Sequence, residues 1–239
     1  MENQNNISAE EALGIIEDLL KNGLIIDVFN AERYYTMYKI LGDNTTAIRK
    51  SDEAIQSFFS TVWHISQDAG ILALARVYDK PSSRYETRSI PYLLKKLKEL
   101  APSLPCLEED KQTLKLLKLY KLKQSCCDAV SDKDGSKFPI EIANHYEPLC
   151  KESESLKEYR DKIIAHNEIF DGKPALTWDK FHELMRQTKE LIEIIGMAYF
   201  SSMYQGIITR DAERHSISTE VILRKLGIIE DIDLSTTPS

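Results

Sequence analysis

The sequence predicts an all-α protein, and three observations carry that expectation. Only 9 glycines and 8 prolines are spread over 239 residues, too few to punctuate many short strands. Stretches in which β-branched residues alternate with polar ones, the mark of a half-buried strand, are scarce. Apolar residues instead recur at three- and four-residue steps, the period of a helix with one buried face.

Ser8 followed by Glu11 resembles a capping box, and Ala12, Leu13, Ile16, Leu19 and Leu20 form a short apolar face expected to stop near Gly23. A second helix is expected from Leu24 to Leu41, closed by Gly42-Asp43-Asn44, with Thr45 or Thr46 capping the next. In the third helix Ile55, Phe58, Phe59, Val62, Ile65, Ala69, Leu72 and Ala73 form the predicted stripe. One turn further that stripe lands on Arg76, with Asp79 just beyond. A guanidinium on an apolar line must be paired or solvated. Two readings stand: Arg76 answers the C-terminal dipole of an ending helix, or Arg76 and Asp79 brace a polar site.

After a turn at Pro81–Thr87, Ser89 is expected to cap a helix with Pro91 in its first turn, and Pro102 and Pro105 break it. One helix is predicted from Leu107 to Val130, with Leu116, Leu119, Tyr120, Cys126 or Cys127, and Val130 facing the core. Lys111, Lys115, Lys118 and Lys121 gather on another side, by default a solvated face and alternatively a phosphate contact surface. Asp132–Phe138 reads as a flexible excursion, and Pro139–Leu149 as a short helix or an irregular connection. A helix is expected over Ser153–His166, then a turn at Asp171–Pro174. Thr177 caps the most regular helix, whose stripe is Trp178, Phe181, Leu184, Met185, Leu191, Ile192, Ile195 and Tyr199. A last helix over Ser218–Leu226 and a loose tail over Asp231–Ser239 complete the chain. Residues 1–44 are therefore read as N-terminal helices packed on a bundle, 45–209 as the bundle, and 210–239 as a C-terminal helix with its tail.

Composition narrows the function. A formal net charge of -7 argues against broad adhesion to nucleic acid, though not against a small basic site. The four cysteines, Cys106, Cys126, Cys127 and Cys150, lack metal-ligand spacing and read as reduced thiols of a cytoplasmic protein. The first residues show no basic-then-apolar leader, and no apolar run approaches the ~18 residues of a membrane span. H-E-x-x-H, Gly-rich phosphate-loop and G-x-S-x-G patterns are missing, so neither a metal nor a cofactor is expected. His64, His145, His182 and His215 are scattered among unrelated neighbours and read as surface or packing residues.

The stretch that resists a purely structural reading is Tyr159–Glu168, YRDKIIAHNE. Arg160 and His166 flank an apolar Ile163-Ile164-Ala165 core. On an ideal helix six positions turn through about 600°, leaving the two about 120° apart. They converge if the helix frays near His166, or across a symmetric dimer to which each chain contributes one set. Arginine holds phosphate by paired donors, and histidine moves protons near neutral pH. Together they suit metal-free cleavage of RNA by its own 2′-hydroxyl. A plain helix end, with Arg160 and Asp161 paired to neighbours, is the structural alternative.

RDKIIAHNE resembles the signature of the HEPN superfamily: arginine, a polar residue, and a histidine after four to six intervening positions. Arg160, Asp161 and His166 fill those places with five residues between arginine and histidine. The segment LALARVYDKPSSRYETRSIPYLLKKL, Leu72–Leu97, resembles the stretch preceding the motif in the abortive-infection, AbiU-like branch. There an Arg-x-x-Asp helix end leads into a Ser-Ile/Leu-Pro helix start, the places taken here by Arg76, Asp79, Ser89, Ile90 and Pro91. The resemblance spans about Phe58 to Tyr199. It implies a HEPN-type antiparallel helical bundle with additional peripheral helices at both ends, a homodimer that brings two motifs into one cleft, and RNA as substrate. It further implies a metal-independent endoribonuclease of phage defence, abortive infection or a toxin–antitoxin pair, with an antitoxin or other defence protein as partner. Arg160 and His166 would be catalytic, and Asp161, Asn167, Arg76 and Asp79 supporting. Degenerate members imply the rival reading, an inactive helical dimer that binds RNA, a nucleotide or a protein.

Overall fold

A computed structural model of the chain describes residues 7–82, 84, 87–108, 110–133, 135–165 and 176–230. His166 and Asn167, the expected turn at 171–174 and the tail at 231–239 lie outside the described residues. Among the described residues every regular element is helical, and the fold is all-α.

Helix α1, Ala9–Leu19, starts on the expected capping box: Glu11 N–H donates to Ser8 Oγ at 3.2 Å and Ser8 N–H to Glu11 Oε2 at 2.9 Å. Gly23 does not stop it. A π-helical turn, Leu20–Leu24, carries α1 directly into α2, Ile25–Asp43. The reason for a glycine lies in tertiary packing, because a Cβ on Gly23 would stand 2.2 Å from Arg88 Cβ. Ala12, Ile16, Leu20, Leu24, Val28 and Ala31 from this segment share one core with Leu74, Val77, Leu93, Leu97, Leu184, Leu191 and Ile195.

A one-turn helix α3, Thr45–Ile48, precedes α4, Glu53–Val77, which Asp52 caps by accepting from Ile55 N–H at 3.0 Å. The predicted stripe of α4 is corrected here. Phe58 and Ile65 are 60% and 59% exposed, whereas Phe59, Ser66, Gly70, Ile71, Ala73, Leu74 and Val77 are buried. α4 meets α2 through small residues: a Cβ on Gly70 would lie 3.5 Å from Tyr34 Cβ and 3.6 Å from Ala31 O. Phe59 and Ala73 of the predicted stripe do face inward, but a hydrophobicity pattern weights large apolar side chains and so passes over Ser66 and Gly70.

Helix α5, Ile90–Leu100, has Ser89 at its N-cap position, but the buried Ser89 hydroxyl has no hydrogen-bond partner among the described residues; Pro91 supplies the start. A 3₁₀ turn, Ala101–Ser103, follows. The single helix expected over Leu107–Val130 is two: α6, Lys111–Leu119, capped by Asp110, and α7, Gln124–Ala129. Lys121 adopts a φ of 56°, a left-handed conformation that ends α6, and Leu119 points to solvent rather than to the core. α8, Lys137–Tyr146, and α9, Pro148–Glu152, resolve the Pro139–Leu149 alternatives as helix. α10, Glu154–Tyr159, then passes into a second π-helical turn, Arg160–Ala165.

Thr177 caps α11, Trp178–Phe200, by accepting from Lys180 N–H, and the predicted stripe faces inward: Phe181, Leu184, Met185, Leu191, Ile192 and Ile195 are buried. α12, Tyr204–Lys225, begins well before the expected Ser218. Its contact residues Tyr204, Ile208, Ala212 and Leu223 are sparse among charges, which hides the helix from a periodicity search. Gly196 lets α12 close onto α11, since a Cβ there would stand 2.5 Å from the Tyr204 ring. Arg33 on α2 and Asp211 on α12 form an ion pair at 2.9 Å. Among the described residues no helix is long and apolar enough to cross a membrane.

Candidate functional site

The site begins at the end of α4. Tyr78 is fully buried and its hydroxyl shares a 2.6 Å hydrogen bond with Thr188 Oγ1 on α11. Burial pushes its phenol far above the ordinary tyrosine value, so it stays neutral. Thr188 in turn donates to Leu184 O at 2.8 Å, so the helix end is fastened to the longest stretch of core. Asp79 is the next residue, and its N–H donates to Arg76 O at 3.1 Å. That bond ties the Asp79 backbone, just past the helix end, to the last turn of α4.

The facing wall is α10 and its π turn. Gln67 Nε2 on α4 donates to Tyr159 Oη at 3.3 Å. Arg160 Nη1 donates to Asp79 Oδ1 at 2.6 Å, and Arg160 Nε donates to Asp161 Oδ1 at 2.7 Å. Both are short, charge-assisted bonds. The Asp161 bond first, then Asp79, raise the guanidinium's affinity for its proton against the opposing effect of burial. The Arg160 side chain is 23% exposed, and its Nη2 has no hydrogen-bond partner among the described residues. A positive charge is thus fixed in direction by two carboxylates while one donor-bearing nitrogen is left over.

Of the six residues singled out in the sequence, Arg160, Asp161 and Asp79 come together. Arg76 does not join them: its Nη2 binds Asp27 Oδ1 on α2 at 2.8 Å, and its side chain is largely exposed. His166 and Asn167 lie outside the described residues. Asp27 was not foreseen. Burial raises its carboxyl above the ordinary range, Arg76 opposes that, and the negative charge of Asp79 adds to it. Lys157 was also missed; burial lowers its ammonium, and Asp79 partly restores it. Nothing local in the sequence marks Asp27 or Lys157, because their connection to Asp79 exists only once α2, α4 and α10 are packed. Among the described residues no group of three His, Cys, Asp or Glu side chains is placed to hold a metal ion.

Chemically, an oriented arginine in a half-open polar cluster can bind one oxyanion and stabilise charge that grows on it. The ion pairs themselves add little stability, about 0–1 kcal/mol each at this exposure.

No curated protein and no solved structure matches the chain. The family model described as AbiU2, of the HEPN type, matches residues 13–217, reaching well beyond the Phe58–Tyr199 segment that carries the resemblance and taking in α2 and much of α12. With the greater part of its length matched and an all-α fold around the arginine motif, the chain belongs to the HEPN AbiU2 family.

Proposed function

We propose that this protein is a metal-independent endoribonuclease of a phage-defence, abortive-infection or toxin–antitoxin system. The observation that supports this most is the Arg160 guanidinium, oriented by Asp79 and Asp161 with Nη2 uncommitted among the described residues. Arg160 binds the scissile phosphate. His166 takes the proton from the 2′-hydroxyl, whose oxygen bonds to phosphorus as the bond from phosphorus to the 5′-oxygen breaks. The departing 5′-oxygen must receive a proton, and a second motif across a homodimer axis supplies that acid. Asp161 and Asp79 set the direction of the guanidinium, and Asn167 adds a donor beside the histidine. Arg76 steadies the end of α4 through Asp27 and acts at one remove.

The test is cleavage of single-stranded RNA in chelator by wild type, Arg160→Ala and His166→Ala. Each variant is expected to lose at least about a hundredfold in rate, the usual consequence of removing one charge-stabilising or proton-transferring group. Equal rates in all three would remove the motif from the chemistry. Absence of turnover in wild type, with RNA or protein still bound, would favour the inactive binding dimer.

A further inference from the structure

Away from Arg160, a cavity of about 350 Å³ lies between the end of α2, α3 and the first half of α4. Its apolar wall is Leu41, Ile48, Phe59 and Trp63, and its rim carries Arg49, Gln56, Ser60 and His64. The volume falls within the ~300–1,000 Å³ range of small-molecule sites.

The aromatic wall has a definite construction. The Trp63 ring stacks on Tyr38, centroids 5.0 Å apart at 19°, and Tyr38 lies 4.4 Å from Trp178 at 30°. Three rings from α4, α2 and α11 thus form a column that reaches the cavity through Trp63. His64 stands edge-on to Trp63 at 4.9 Å. The rim is chemically uncommitted. Among the described residues Arg49 has no ion pair and neither it nor Ser60 has a side-chain hydrogen bond. Gln56 uses its Nε2 on Ser51 O at 2.7 Å, which leaves its Oε1 as an acceptor. Most other arginines of the fold, Arg33, Arg76, Arg88, Arg160, Arg186 and Arg224, are engaged by carboxylates. Among the described residues an unengaged guanidinium beside a stacked indole is therefore a distinction of this cavity.

We infer that this cavity binds a nucleobase together with its phosphate. The planar ring is stacked on the Trp63 end of the column, with Arg49 on the phosphate and Gln56 and Ser60 within reach of the base or sugar. A flat heteroaromatic ring matches the indole wall, an anion matches the free guanidinium, and mixed donors and acceptors match the rim. The same chemistry is offered by a free mononucleotide and by an unpaired residue of a strand. None of these side chains belongs to the Arg160 cluster, so the inference stands whether or not the protein cleaves RNA.

The chain has two tryptophans, Trp63 and Trp178, so full-length Trp178→Phe leaves Trp63 as the only indole emitter. Its fluorescence is titrated with AMP, UMP, adenosine and a short oligouridylate, beside wild type. Saturable quenching is expected. Arg49→Gln should weaken binding of the phosphate-bearing ligands by about tenfold or more and leave adenosine unchanged. Ser60→Phe, which fills the mouth, should abolish quenching while the thermal melt is preserved. Saturation by mononucleotides identifies the free ligand; saturation by the oligonucleotide alone identifies a strand residue; both uphold the site. No saturable quenching by any of them at millimolar concentration, or equal phosphate-ligand affinity in Arg49→Gln, overturns it.

Discussion

Helix α11 and the segment carrying Arg160 both bring charged side chains to the edge of the core, and they treat those charges in opposite ways. α11 runs unbroken from Trp178 to Phe200 and buries Glu190 and Glu193 among apolar neighbours. Both are spent internally: Glu190 on Arg186, and Glu193 on the Gln205 N–H, which it accepts at 2.7 Å at the start of α12. The Arg160 segment is six residues of α-helix followed by six of π-helix. Its guanidinium is oriented but not used up. The difference separates a charge that holds structure from one available to a ligand, which burial alone would not do.

Phe181→Ala, in the fully buried face of α11, should cost ~3–5 kcal/mol of stability, read by denaturant unfolding. Arg160→Ala should cost no more than about 1 kcal/mol, because its partners are partly solvated. If Arg160→Ala unfolds the protein as readily as Phe181→Ala, the arginine is a structural charge and the contrast fails.

Tyr78→Phe tests the joint between the two regions. It removes the hydroxyl shared with Thr188, which keeps its own bond to Leu184 O, so about 1 kcal/mol of stability should be lost. RNA cleavage should fall less than in Arg160→Ala, since the guanidinium remains and only its partner Asp79 is loosened. A normal cleavage rate would mean that the α4 end is placed by other contacts.

The smallest effect is a pH dependence at Glu193, whose carboxyl is raised by burial and only partly lowered by the Gln205 and Tyr204 N–H groups. The folded state binds this proton more tightly than the unfolded chain. Its contribution is therefore full below the ordinary glutamate value of about 4.3 and is lost as pH rises through the raised folded value. Between pH 4 and pH 7 the melting temperature of wild type should fall relative to Glu193→Gln. Parallel curves would show that Glu193 is as well solvated folded as unfolded.

How far the sequence could be read follows the same division. α11 was legible to its cap because Thr177 and a continuous stripe of large apolar residues both mark it. Asp79 was legible only as the companion of Arg76, whose guanidinium stood out on an apolar line. The partner of Arg76 was not, because Asp27 lies on another helix and becomes half-buried only when α2 meets α4. The buried face of α4 was misread because part of it is Ser66 and Gly70, which a search for apolar side chains passes over. The break at Lys121 carries no glycine or proline to announce it. Trp63 and its cavity could not be found from spacing, since the column joins three helices far apart in the chain.

The π turn at Arg160–Ala165 has a consequence for how such a motif can vary in length. A π turn closes its hydrogen bonds over one residue more than an α turn does. A relative with one residue fewer between its arginine and histidine would close the same stretch as ordinary helix, without rotating anything before the arginine. Insertion or deletion would thus be absorbed inside the coil, and the contact between Arg160 and Asp79 would be spared. The widened turn acts as slack in the chain, opening at the residue that Asp79 and Asp161 hold.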